Sequence, residues 1–295
     1  MRLFLILIAL CALTPANVRA DISTKDARKA IQTILGASLP TSAVRVQQVR
    51  TNGEGAAEAS AEIVAVFRVR QIEGQWRLSE IRTGPDAWDK LELLAQALGA
   101  TLPVGGCDAP SQFARSASAK EINVKRARCL VAELLGVTLP SDQVRVKNLS
   151  TLALPFGSEP SSLIEAVVQV DFRFTRDARG LRVSEFKSGS RDWARIDTLA
   201  TALNDAKRAA ATSDLNTIAG ALNDFRRARG SFVVSDKQSV LIDHLNPQYL
   251  KRVIRLDPWH RPYQYEGTPD HFSLRSVGAD GKPRTGDDIT VSSTL

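Results

Sequence analysis

The chain is short of cysteine, with three in 295 residues, and of aromatic side chains, at 6%. After residue 13 it also lacks any apolar run approaching the ~20 residues that span a bilayer. Each shortage excludes something. Few aromatics imply small modules with mostly aliphatic cores, and the missing apolar runs imply that no later segment crosses a membrane. The chemistry-bearing motifs are missing too: no nucleophile–base pair, no zinc-ligand spacing and no phosphate-binding loop. Basic residues are interspersed with acidic ones apart from short clusters such as Lys125-Arg126-Ala127-Arg128. They carry no interleaved aromatics to stack bases, which argues against nucleic-acid binding. What remains, 43% hydrophobic and 24% charged, is the composition of a folded soluble protein with room for two or three domains.

The first residues read as an export signal. Met1-Arg2 precedes the apolar run Leu3 to Leu13, then Pro15 and Val18-Arg19-Ala20, with small residues at the −3 and −1 positions of a cleavage site. The expectation is cleavage after Ala20, a signal peptide over 1–20, periplasmic localisation and no transmembrane anchor in the mature chain. Loss of Arg2 and Arg19 lowers the formal charge of +7 by two, to +5. Cys11 leaves with the signal. The remaining pair, Cys107 and Cys129, suggests a disulfide closing ~22 residues and worth roughly 3 kcal/mol. The alternative is a buried thiol at Cys129.

A tandem duplication organises the next two thirds. Leu35-Gly36, Leu39-Pro40 and Val44-Arg45-Val46 recur as Leu135-Gly136, Leu139-Pro140 and Val144-Arg145-Val146. Past a five-residue insertion, Phe67-Arg68, Ser79-Glu80, Gly84 and Trp88 return as Phe172-Arg173, Ser184-Glu185, Gly189 and Trp193. Residues 21–104 and 121–204 therefore read as two α+β modules, each helix–three strands–helix, joined by a Gly/Ser/Ala-rich linker over 105–120. The opening helices carry Ala27, Ala30, Ile31, Ile34 and Leu35, then Leu130, Val131, Leu134 and Leu135, at helical spacing. Ile63, Ala65, Phe67 and Val69 alternate as one face of a strand, and Glu73-Gly74-Gln75 turns it into a hairpin. By the same alternation Glu80 and Glu185 fall half-buried. They are candidate ligand contacts, but such a carboxylate more often pairs with an arginine, here Arg45 or Arg68 and their counterparts Arg145 and Arg173.

The pattern changes near Asp205. Ala211 to Arg229 is an amphipathic helix with Leu215, Ile218, Ala219, Leu222 and Phe225 on one stripe, continuing the helix before it and ended by Gly230. A short helix near Val240 to Leu245 follows. Then come the block Asp257-Pro258-Trp259-His260-Arg261-Pro262-Tyr263-Gln264-Tyr265, a strand over His271 to Ser276, and the loop Val277-Gly278-Ala279-Asp280-Gly281-Lys282-Pro283-Arg284-Thr285-Gly286-Asp287-Asp288. Trp259, Tyr263 and Tyr265 read as core and loop anchors. His244, His260 and His271 share no ligand spacing on one helix.

The Asp-Pro-Trp-x-x-Pro-Tyr-x-Tyr block followed by a Ser-x-Gly-Ala-Asp-Gly loop ending in two acids resembles the C-terminal domain of the type II secretion major pseudopilin. The resemblance covers roughly 205–295. It implies a pilin-like head built of a long helix and a small antiparallel sheet, whose acidic loop holds calcium. Carried over by motif position, the ligands are Asp280, Asp287 and Asp288, with main-chain oxygens from Val277 and Thr285. Without the resemblance these read as turn-forming aspartates, since Asp-Gly and Gly-Asp suit turns. With it, the physics agrees, because calcium takes six to eight oxygens in flexible geometry and crowded carboxylates repel unless a cation neutralises them. The resemblance does not extend to the apolar stem helix of a pseudopilin, and His260-Arg261 stand where that family usually has Gly and Asn. The expected function is a non-catalytic exported structural or binding protein associated with type II secretion, with pseudopilus components as candidate partners. The alternatives are a small-ligand or cell-wall sensor, or a hydrolase with its site in the repeated modules.

Overall fold

A computed structural model of the protein describes residues 22–35, 40–52, 56–100, 102, 107, 122–152, 160–177 and 180–293. The expected signal peptide, most of the linker over 105–120 and the inserted loop at 154–159 lie outside the described residues.

Alternation and turn chemistry build the first two thirds. Helix α1 (Thr24–Leu35) is followed by strands β1 (Val44–Asn52), β2 (Ala56–Ile72), β3 (Gln75–Arg82) and β4 (Trp88–Lys90), then helix α2 (Leu91–Ala97). The order recurs with α3 (Val124–Leu135), β5 (Val144–Thr151), β6 (Ser161–Asp177), β7 (Gly180–Lys187), β8 (Ala194–Arg195) and α4 (Ile196–Arg229). The β2–β3 turn is the two-residue hairpin that a Glu-Gly pair allows, with positive φ at Glu73 (51°) and Gly74 (78°).

The long strands β2 and β6 pair antiparallel from Ala57↔Phe174 to Arg70↔Ser161, so both segments contribute to one eight-stranded sheet, ordered β4-β3-β2-β6-β7-β8. β1 joins β2 and β5 joins β6 on the remaining edges. The register slips in matching places: between Val46 and Gln48 and between Val146 and Asn148, then at Arg68/Val69 and at Arg173/Phe174. The short strands β4 and β8 are an addition to the three expected in each segment.

One face of this sheet is apolar. Ile63, Phe67 and Val69 of β2 and Ile164, Val168 and Phe172 of β6 are buried with Ile31 of α1 and Leu130 and Val131 of α3. Each fully buried side chain of this size contributes roughly 1.5–3 kcal/mol. Ile34, expected on the apolar stripe of α1, is 37% exposed near the helix end. The last carbonyls of α3 would be orphans, but Ser188 Oγ, Ser190 Oγ and Arg191 Nη2 donate to Leu135, Gly136 and Leu134. Cys107 and Cys129 form a disulfide with their Cα atoms 5.8 Å apart, tying the segment after α2 to α3.

Helix α4 runs unbroken through 34 residues, about 50 Å, from the edge of the sheet to Gly230. Its second half buries the expected stripe Leu215, Ile218, Ala219, Leu222 and Phe225. That stripe packs against α5 (Gln238–Leu245) and a three-stranded antiparallel sheet of β9 (Gln264–Gly267), β10 (Phe272–Ser276) and β11 (Ile289–Ser292). This second core is separate from the first and holds Phe232, Tyr263, Tyr265, Phe272 and Leu274. Among the described residues no helix is long and apolar enough to cross a membrane.

Candidate cation-binding loop and its junction with the sheet

The head is pinned by a turn that wraps around one buried carboxylate. Asp257, 3% exposed, accepts from the Trp259 and Arg261 amides at 3.0 and 2.9 Å and from Ser276 Oγ at 2.6 Å. It therefore ties the Asp-Pro-Trp-His-Arg-Pro turn to the end of β10, just where the acidic loop begins. The two tyrosines serve as anchors. Tyr263 donates to Asp214 of α4 at 3.2 Å, and Tyr265 donates to the Val233 carbonyl at 2.6 Å. Burial raises both hydroxyls above their ordinary pKa, that of Tyr265 to about 12, and the Asp214 carboxylate adds to the rise at Tyr263.

The loop from Val277 to Asp288 folds around its own acids. Asp287 Oδ2 accepts from the Asp280 amide at 2.9 Å, and Asp287 Oδ1 accepts from Thr285 Oγ1 at 2.6 Å. The same hydroxyl lies 3.3 Å from Asp280 Oδ1, which also accepts from the Lys282 amide at 2.7 Å. These bonds hold the Asp287 carboxyl down to about 2, the Thr285 hydroxyl contributing most and the Asp280 amide next. Asp288 turns elsewhere. Its Oδ2 accepts from the Arg284 amide at 2.8 Å and lies 3.7 Å from Arg275 Nε, while its Oδ1 is buried without a hydrogen-bond partner. Val277 is buried at the loop entrance, and the Thr285 carbonyl accepts from the Asp288 amide at 3.3 Å.

Of the five expected ligand residues, then, Asp280, Asp287 and Thr285 meet around one hydroxyl, and Asp288 stands apart beside Arg275. Among the described residues no three of His, Cys, Asp and Glu gather into a group that could hold a metal. The polar side-chain atoms of Asp280, Thr285, Asp287 and Asp288 are all oxygens, and Asp288 Oδ1 is buried and orphaned, which is the chemistry a hard cation would take.

Two arginines that sequence reasoning left unassigned complete the loop. Arg261 donates through Nη1 to the Gly278 carbonyl and through Nη2 to the Ala279 carbonyl, the latter at 3.0 Å. Arg208 of α4 donates to the Asp287 carbonyl at 3.0 Å. Space for Arg261 depends on Gly281, since a Cβ there would lie 2.6 Å from the guanidinium carbon and φ is +69°.

The next residue back in the turn reaches the sheet. His260 Nε2 lies 3.0 Å from Asp89 Oδ1 of β4, and Lys207 Nζ of α4 donates to the same oxygen at 2.9 Å. Trp259 Nε1 donates to Asn204 of α4 at 3.2 Å. The other histidines lie apart: His244 beside the Val240 carbonyl, His271 beside Ser293 Oγ.

In the sheet the two repeated carboxylates are paired. Glu80 meets Arg68, which lies over Trp88 at 4.3 Å from the ring centre. Glu185 meets Arg173 at 3.0 Å, and Arg173 lies over Trp193 at 4.0 Å while also bonding Glu58 at 2.7 Å. The strand neighbours Arg68 and Arg173 supply the partners; Arg145 pairs with Glu62 at 2.5 Å instead. A surface cavity of about 550 Å³ opens beside Glu185, lined also by Phe174, Arg195 and Asp197. Its Asp197 carboxyl is held below the ordinary range, chiefly by the Arg195 guanidinium, and is not raised as a general acid would be.

A long helix thus leads into a small antiparallel sheet closed by an acidic loop. Residues 198–293, about a third of the chain, match the model of one protein family, type II secretion system (T2SS), protein G. No curated protein and no solved structure matches the chain.

Proposed function

We propose that this is an exported, non-catalytic structural or binding protein that works with type II protein secretion through its C-terminal head. The observation that carries the reading is the family match over 198–293, which spans all but the first two residues of α4, both tyrosine anchors and the whole acidic loop. The paired carboxylates support the non-catalytic part, since Glu80 and Glu185 spend their charge on neighbouring arginines. We infer as well that the sheet comes from two copies of one module. The shared order of elements and the matching register slips support this. Signal cleavage after Ala20 would place the mature chain in the periplasm, facing pseudopilus components. Site-specific photo-crosslinking from Val234 or Leu256, both exposed on the head, tests the partner. Adducts with pseudopilus subunits are the expected result, and adducts confined to unrelated envelope proteins would end the reading.

Calcium stabilisation of the head is the finer part of the proposal. Asp280, Asp287 and the orphaned oxygen of Asp288 would hold the ion with main-chain oxygens of Val277 and Thr285, and the ion would neutralise carboxylates that otherwise repel. Binding to the folded state alone stabilises it by about 2.7 kcal/mol at a hundredfold excess over Kd. Calcium should therefore raise the thermal midpoint of the full chain over that in chelator, and Asp287→Ala should abolish the rise. A midpoint blind to both additions removes calcium from the proposal and leaves the secretion role standing.

A second reading follows from the cavity beside Glu185: a small-ligand or cell-wall sensor. Peptidoglycan fragments that shift the amide resonances of Phe174 and Val183 would favour it.

A further inference from the structure

The acidic loop already contains a cation. Arg261 sits in the turn fixed by Asp257, and its guanidinium covers two successive loop carbonyls, those of Gly278 and Ala279. Its backbone cannot drift, because its amide is bound to the Asp257 carboxylate and its carbonyl accepts the Asp257 amide at 2.7 Å. Arg208 of α4 holds the Asp287 carbonyl at 3.0 Å. Carbonyls turned toward a shared positive charge are what a loop of this kind otherwise offers to a metal. A planar guanidinium with its donors in a fixed fork meets two such oxygens at once, which an ammonium does as a point charge only. The amides of Asp280, Lys282 and Arg284 are bound by the loop's own carboxylates, so these three donors are matched by protein groups, while Asp288 Oδ1 keeps no partner.

From this geometry we infer that Arg261, with Arg208 holding the Asp287 carbonyl, is the positioning residue that keeps the acidic loop folded when no metal is bound. The loop is pre-formed, and its order does not wait for a divalent cation. This concerns the same loop as the calcium proposal and does not depend on it, since the arginine contacts are protein–protein throughout.

The test is amide hydrogen exchange on the full-length chain in excess chelator, read at Asp280, Lys282 and Arg284. Wild-type protein should show these amides protected. Arg261→Ala should expose them at least about tenfold faster while the amides of β2 and β6 keep their protection, which separates a loosened loop from a lost fold. Arg261→Lys, with charge but no fork, should fall between the two. Free exchange of the wild-type loop in chelator would overturn the inference, as would an Arg261→Ala loop as protected as wild type. A parallel calcium titration reports on the metal proposal alone: absence of binding to either protein removes the metal, and the chelator comparison still decides the role of Arg261.

Discussion

Glu80 and Glu185 in the sheet each meet a guanidinium from the adjacent strand, whereas Asp280 and Asp287 in the head meet backbone amides and one shared hydroxyl. Asp288 meets a backbone amide, with Arg275 only at 3.7 Å. The two regions solve one electrostatic problem by different means. A strand ladder brings residues of opposite charge side by side, so a carboxylate can be matched within its own hairpin, 12 residues away. A loop has no such ladder. Its acids are matched by turns of the loop itself, and its carbonyls by arginines arriving from elsewhere, Arg261 from 17 residues away and Arg208 from 79. The sheet should thus tolerate loss of one ion pair, while the head should depend on a few convergent contacts.

The largest effect is expected at Asp257. Replacing it by Ala removes three acceptor bonds from a buried site and frees both the turn and the loop entrance, at a cost of about 3 kcal/mol or more. Urea denaturation followed by Trp259 fluorescence should show the head transition moving well below that of the sheet. A head as stable as before would erase the proposed contrast between the regions. In the sheet, a double-mutant cycle of Arg68→Ala and Glu80→Ala should give a coupling of about 1 kcal/mol, because the pair is only partly shielded from solvent. A coupling as large as the loss at Asp257 would show that the sheet leans on single contacts too.

The smallest effect is on pH dependence. Asp287 has a folded pKa of about 2 against an ordinary 3.8. Its contribution is therefore complete above about pH 4 and is lost as pH falls toward 2, where the carboxylate protonates in the folded loop as well. Loop amide protection should decline across that window, and Asp287→Asn should flatten the decline. A loop whose protection changes near neutral pH would require another titrating group.

Much of this was legible in the residues because local period reports burial. Alternation at Ile63, Phe67 and Val69 marked the inner face of β2, and 3.6-residue spacing at Leu215, Ile218, Leu222 and Phe225 marked the buried stripe of α4. The Asp-Pro-Trp block and acidic loop marked the head because their spacing is fixed by one turn and one loop. β4 and β8, three and two residues long, are too short for any period to register. The pairing of β2 with β6 joins residues about a hundred positions apart, and alternation within a strand does not name its neighbour. Asp89 was missed for a related reason: its partners Lys207 and His260 are 118 and 171 residues away, and its counterpart in the second segment is Ala194. Arg261 departs from the pattern of the resembled family in sequence, but only the structure shows its guanidinium on the loop carbonyls.

The role of the head is tested most directly by secretion itself. Cells lacking this chain should release less of a type II substrate into the medium and accumulate it in the periplasm. Complementation with the full chain should restore release, and complementation with a chain ending at residue 195 should not. Normal release without the chain, or full rescue by the headless version, would contradict the proposed function.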